Sequence, residues 1–328
     1  MKNFKIMSYK KILLFIIMIF IIPTQASPKA VGVSNWVFTE MANFRLISGI
    51  SNIGASNKVP LGLEFELKDG WKIYWRNPGD AGYPPEINFG NNENLSEIKW
   101  FWPAPKRFIF EDMQNYGYEK KIIFPITATV KTTKEPLVLQ ANITALACKD
   151  ICVPIDGDLN LTIPVGNPVK TEHAASIYSF EKRVPTKATW PGFKILSVNA
   201  NKNSILIKVK SKHPLIKPDV FIESENGFRF GKPEVSISNN RLNASFILSN
   251  DIPIDTNLSE IPITITVVDG NKSIEVRRSI RGKLVTKPVQ SYTSFNWLTV
   301  LLTALIGGLI LNLMPCVLPV LTIKLLQV

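Results

Sequence analysis

The chain has 328 residues, 45% of them apolar and 20% charged, which is enough for about two domains with true hydrophobic cores. Three Cys argue against a disulfide-stapled miniprotein, and two isolated His (His173 and His213) argue against a His-rich zinc or copper site. The net charge of +12 includes Lys2, Lys5, Lys10 and Lys11 at the very start, and the rest is spread along the chain with no basic, aromatic-lined groove, so a nucleic-acid ligand is not expected.

In chain order, residues 1–26 read as a secretory signal. A short basic start is followed by an unbroken apolar run from Ile12 to Ile22 and by the small-residue site Thr24-Gln25-Ala26. From 27 to 168 the pattern is short alternating runs broken by turn residues. Leu61 to Leu67 alternates with period two and stops at Asp69-Gly70, and Trp71 to Trp75 stops at Asn77-Pro78-Gly79-Asp80. Ile122 to Val130, Leu137 to Leu146 and Leu159 to Ile163 repeat the pattern. Residues 169–189 form a linker whose middle, Glu172 to Arg183, has the composition of a short helix. A second strand-rich block, 190–285, contains Ile205 to Val209, Leu242 to Leu248 and Ile261 to Val268. The predicted fold class is therefore all-β, two β-sandwich domains. After a linker at 286–296, residues 297–328 are expected to form a transmembrane helix, because Pro288 to Ile323 carries no charge and Trp297 marks an aromatic entry. The five basic residues Arg277, Arg278, Arg281, Lys283 and Lys287 lie on its exported side, against the positive-inside tendency, which weakens for long translocated domains.

The chemistry rests on the cysteines. Cys148 and Cys152 stand in Ala147-Cys-Lys-Asp-Ile-Cys-Val-Pro154, in an exported and therefore disulfide-permissive segment. On a continuous strand residues four apart lie about 13 Å apart, whereas a disulfide brings its Cα atoms to roughly 4.4–6.8 Å. If the two pair, the chain turns between them, at Lys149-Asp150. Spacing and compartment leave three readings open: a structural staple, which closes too short a loop to stabilise much, a dithiol that cycles through mixed disulfides, and two unpaired thiols. Cys316 lies in Asn312-Leu-Met-Pro-Cys-Val-Leu-Pro319, where two prolines break helical hydrogen bonding. Broken backbone at membrane depth is tolerated inside protein, so this span is expected to belong to a larger helical bundle with Cys316 facing its interior.

At these residues the sequence resembles a known family. Leu311 to Val320 is similar to the first membrane helix of the DsbD/ScsB family of transmembrane thiol-disulfide reductases. Glu64 to Pro85, Trp102-Pro-Ala-Pro105, Tyr116-Gly117-Tyr118 and Cys148 to Pro154 resemble the exported amino-terminal domain of its ScsB-like branch. The resemblance implies that the sandwich domains are immunoglobulin-like and that the protein is a protein-disulfide reductase of the bacterial inner membrane, with the bulk of the chain in the periplasm. Electrons would pass from cytoplasmic thioredoxin through a membrane cysteine pair to periplasmic thiol-disulfide proteins, with no bound cofactor or metal. It further implies that Cys152 is the attacking nucleophile, Cys148 the resolving thiol and Cys316 one half of the membrane pair, whose remaining helices would be supplied from outside this chain, as expected of a truncated or split member. Tyr116 is the residue expected to shield the pair from a cap loop, in which Asn115 replaces the aromatic of the DsbD type. The three-residue spacing of the pair, against five in the DsbD type, favours the ScsB-like branch. Two competing functions are a non-catalytic, membrane-tethered β-sandwich binding module and a copper handler with soft thiol ligands.

Overall fold

The computed structural model describes residues 31–90, 92–110, 112–186, 192–200, 204–225, 229–249, 254–284 and 297–312. The signal segment 1–26, the linker 286–296 and Cys316 lie outside them. Alternating apolar and polar residues become strands through most of the described chain, which is all-β with sheets consistent with an immunoglobulin-like sandwich. It divides into two compact units, between Val184 and Pro185.

The first unit contains β1 (Val37–Phe38), β2 (Ala42–Ser48), β3 (Lys58–Leu67), β4 (Lys72–Gly79), β5 (Glu86–Asn88) and β6 (Leu95–Trp100). They are followed by β7 (Lys106–Phe110), β8 (Met113–Glu119), β9 (Lys121–Val130), β10 (Leu137–Cys148), β11 (Cys152–Ile163) and the helix α1 (Ala174–Glu181). One sheet has the order β1-β2-β3-β9-β6, and the other has β11-β10-β4-β8-β7 with β5 added alongside β10. Trp75, Phe44, Phe65 and Phe124 are fully buried, and the Tyr118 ring of the second sheet meets Phe124 of the first edge-on at 5.2 Å. Such edge-to-face contacts add to the burial of apolar area that holds the sheets together.

Two strands run further than the turn residues predict. β4 continues through Asn77-Pro78-Gly79, with a register irregularity between Tyr74 and Gly79. β11 begins at Cys152 rather than near Leu159, although it contains Pro154 and Gly157. As an edge strand it tolerates a proline that lacks a donor. At Gly157 an added Cβ would come within 2.8 Å of the Val37 side chain, so the missing side chain lets β1 approach.

The helix α1 falls within Glu172 to Arg183 and packs against β9 and β3, burying Ile177 and Phe180. On β3 the carboxylate of Glu64 is only 2% exposed. It accepts a hydrogen bond of 2.7 Å from Arg45 Nε and pairs through its other oxygen with Lys121. Burial alone would raise the Glu64 pKa, but the hydrogen bonds from Lys121 and Arg45 more than reverse this and hold it below its ordinary value of 4.5. A carboxylate with a lowered folded pKa stabilises the protein above its unfolded pKa, and that contribution fades as pH falls through the folded value. Glu64→Gln is therefore expected to cost about 1–3 kcal/mol at pH 7 and distinctly less at pH 3. Urea midpoints of both proteins at the two pH values check this.

The second unit holds β12 (Phe193–Ala200), β13 (Ser204–Ser211), β14 (Pro218–Ser224), β15 (Glu234–Ile237), β16 (Asn243–Ser249), β17 (Ile254–Asp269) and β18 (Lys272–Leu284). Its sheets have the orders β12-β13-β16-β15 and β14-β17-β18, around a core that includes Phe193, Ile207, Phe246 and Ile265. The β17–β18 hairpin turns through Gly270-Asn271, with Gly270 at φ +62, as a two-residue hairpin requires. Beyond it, α2 (Trp297–Asn312) is a 16-residue helix of wholly uncharged sequence. Among the described residues no helix is long and apolar enough to cross a membrane; residues 313–328 of the expected span lie outside the described chain.

Candidate redox site

β10 and β11 form a hairpin of unbroken antiparallel register from Leu137↔Ile163 to Cys148↔Cys152. The two cysteines are thus its last facing pair, and they are disulfide-bonded, with Cα atoms 4.1 Å apart. The three residues between them, Lys149-Asp150-Ile151, close the turn, with the Lys149 amide donating to the Ile151 carbonyl at 3.0 Å. The two sulfurs occupy unequal positions. Cys148 ends the inner strand β10, beside Lys72 of β4, and is 8% exposed. Cys152 starts the edge strand β11 and is exposed.

Facing residues of an antiparallel pair share a face of the sheet, and the face alternates along each strand. Cys148 faces Cys152 and Lys72, so all three lie on one face together with Tyr74, two residues beyond Lys72. This is the outer face. Ile73, between them, faces Tyr118 and belongs to the sandwich core. Despite its outward direction Tyr74 is only 5% exposed, and its hydroxyl lies 3.7 Å from Cys152 Sγ.

What covers Tyr74 is the segment that follows β4. Gly82, at φ +111, lies so close to the ring that an added Cβ would come within 2.3 Å of it. This backbone is tied to β8 at three points. The Asp80 amide donates to the Gln114 carbonyl at 2.8 Å, and the Gln114 amide donates to the Asp80 carboxylate at 2.8 Å. The Ala81 amide donates to the Asn115 side-chain oxygen at 3.1 Å. Asn115, in the segment expected to form a cap, thus anchors the loop that covers Tyr74.

Tyr116 is placed differently from the expectation. It precedes Gly117, which faces Tyr74, so by alternation it lies with Tyr118 on the opposite face from the cysteine pair. It is 6% exposed, its ring lies 4.8 Å from the Arg107 guanidinium, and its hydroxyl accepts a hydrogen bond from Arg107 at 3.2 Å. The aromatic side chain that meets Cys152 is Tyr74. The sequence signal for it was present in the Gly70 to Gly82 stretch, but an aromatic in an alternating run carries no mark of the sheet face it will take.

Around the pair lie charged groups of both signs. The Lys72 ammonium lies 5.2 Å from the Phe108 ring centre, and the Lys149 side chain passes beside Gly70. Burial pushes the Tyr74 phenol above its ordinary pKa of 10.0, so it stays protonated throughout the neutral range and remains a donor. Among the described residues no three His, Cys, Asp or Glu side chains are grouped to hold a metal ion.

Comparison with known proteins agrees with this architecture. The family model of the thiol:disulfide interchange protein DsbD, N-terminal, matches residues 48–164, and a domain of unknown function (DUF8393) matches residues 183–283. The crystal structure of the N-terminal periplasmic domain of ScsB from Proteus mirabilis superposes with a TM-score of 0.62 at 22% identity, covering 77% of this chain and 100% of that one. It shows the shared fold. The C-terminal domain of the Streptococcus agalactiae antigen I/II polypeptide BspA reaches a TM-score of only 0.18 at 7% identity, over 71% of this chain and 95% of that one. The corresponding domain of AspA from Streptococcus pyogenes reaches 0.16 at 5%, over 77% and 99%. Neither likeness bears on the fold. No curated protein matches the chain. Residues 48–164 thus match the amino-terminal domain of DsbD, and this part of the chain carries a disulfide-bonded cysteine pair at the end of its last hairpin.

Proposed function

We propose that the chain is an exported protein-disulfide reductase module that passes two electrons to disulfide-bonded partners through Cys148 and Cys152. The observation that carries this reading is the inequality of the two sulfurs, one buried at 8% and one exposed on an edge strand. A structural staple has no need of such a difference, whereas a redox pair needs one sulfur that a partner can reach. In the reduced protein the Cys152 thiolate attacks a partner disulfide, forming a mixed disulfide and releasing one partner thiol. Cys148 then attacks Cys152 Sγ, which releases the second partner thiol and restores the Cys148–Cys152 disulfide. Two electrons and two protons leave the dithiol, and one disulfide is reduced to two thiols.

The finer placement belongs to the same proposal. The expected signal, and the likeness to a ScsB domain described as periplasmic, support a periplasmic location. Residues 27–168 form the redox domain and 190–285 a second sandwich domain. The segment 297–328 sits in the inner membrane among further helices, with Cys316 as one member of the pair that refills Cys148 and Cys152 and draws indirectly on thioredoxin. A Cys148→Ser chain tests the reading. Expressed in the exporting cell and quenched with acid, it is expected to accumulate a mixed disulfide between Cys152 and an exported protein, visible as a dithiothreitol-sensitive band. The absence of any such adduct, with partner binding unchanged when both cysteines are replaced, would assign the chain to the binding-module class instead.

A further inference from the structure

The contact between the Tyr74 hydroxyl and Cys152 Sγ is not needed to hold the sheet together. A phenylalanine would fill the same space under Gly82, and the disulfide would form without it. The hydroxyl nevertheless reaches the exposed sulfur at 3.7 Å from a ring that is 5% exposed. The phenol is buried while Cys152 itself is exposed. The ring is held in place by Gly82 above it, which is in turn fixed by Asp80 and Asn115 through their bonds to β8 and the loop.

We propose that, in the reduced protein, the Tyr74 hydroxyl donates a hydrogen bond to the Cys152 thiolate and makes Cys152 ionise at lower pH than it otherwise would. This rests on the redox reading of the pair and adds a residue to it. A sulfur in a disulfide is a weak acceptor, while a thiolate is a charged one, so the same contact strengthens when the pair is reduced. The phenol is a permanent donor, since burial keeps it protonated. The consequence works in both directions. A stabilised thiolate is more abundant as the attacking group on a partner disulfide, and it leaves more readily when an upstream dithiol resolves a mixed disulfide at Cys152.

Other charged groups lie on the elements around Cys152. Lys72 and Arg76 lie on β4, Lys149 and Asp150 in the turn, Asp80 in the covering loop, Glu119 on β8 and Asp156 on β11. All are retained in Tyr74→Phe, so comparing the two proteins isolates the hydroxyl. The test measures iodoacetamide alkylation of Cys152 against pH in full chains carrying Cys148→Ser, with and without Tyr74→Phe, by mass spectrometry of the Cys152 peptide so that Cys316 does not contribute. Loss of the hydroxyl is expected to move the midpoint upward by about one pH unit, the scale of one hydrogen bond to a charged acceptor. The rate at pH 7 is expected to fall about threefold, because the scarcer thiolate is also intrinsically more nucleophilic. In the chain that keeps Cys148, Tyr74→Phe still forms the disulfide, which checks that the site is folded. An unchanged midpoint overturns the proposal, whether or not the rate falls uniformly at all pH values. Iodoacetamide needs no protein partner, so this result stands apart from success or failure in capturing a mixed disulfide.

Discussion

Replacing Cys152 with serine is expected to abolish disulfide reduction, with a fall of about a thousandfold or more, while replacing Cys148 should leave the first half-reaction intact. The difference follows from position. Cys152 starts an edge strand and is exposed, so a partner can approach it. Cys148 is 8% exposed, flanked by β4 on one side and β11 on the other, and a folded partner cannot reach it. In the proposed cycle its role is intramolecular: it faces Cys152 across the last rung of the hairpin, placed to attack once a mixed disulfide has formed there. The Cys148→Ser chain should therefore react once and stall. Single-turnover mixing of pre-reduced chains with a disulfide-bonded peptide checks both halves. Cys148→Ser should give a stoichiometric adduct that dithiothreitol releases, and Cys152→Ser no adduct at all. Equal adduct from both variants would remove the assignment of roles.

Trp75→Ala should be the most damaging single truncation in the core of the first unit, at about 3–5 kcal/mol. The side chain is fully buried on the inner face of β4, alongside Ile73 and close in the chain to Tyr74. A domain of this size is stabilised by roughly 5–15 kcal/mol in total, so the loss takes a large share. The effect should also spread to the redox site. β4 carries Trp75 inward and Tyr74 outward, and a cavity on one face loosens the strand that holds the phenol against Cys152. Trp75→Phe leaves a smaller void and should cost distinctly less. Urea denaturation of both variants followed by far-UV circular dichroism checks the stabilities, and the rate of Cys152 alkylation in reduced chains checks the coupling.

Strands such as β3 and β10 were legible in the sequence because Leu61 to Leu67 and Leu137 to Leu146 alternate with period two, a pattern that fits a strand and not a helix. The hairpin turn between the cysteines was legible for a related reason. Four residues along a strand are too long for a disulfide, and Lys149-Asp150 fits a bend. The extensions of β4 and β11 were not legible. Pro78, Gly79, Pro154 and Gly157 are breakers by local propensity, and they are tolerated at a bulge and on an edge strand. The likeness of Tyr116-Gly117-Tyr118 to a family motif suggested a cap loop with Tyr116 over the pair, where the structure has strand β8 with Tyr116 on the opposite face.

The sequence by itself determined the all-β class, and it marked Cys148 and Cys152 as a possible pair with a turn between them and a likeness to a thiol-disulfide family, because each depends on residues within about a dozen positions of one another. Only the tertiary structure decided that Cys148 is covered while Cys152 is open, that Tyr74 rather than Tyr116 meets the sulfur, and that Asp80 and Asn115 secure the backbone above the ring. Those facts depend on register between strands far apart in the chain. A shift of one residue in the pairing of β4 with β8 or β10 would send Tyr74 to the other face of the sheet, and nothing local to Tyr74 specifies that register.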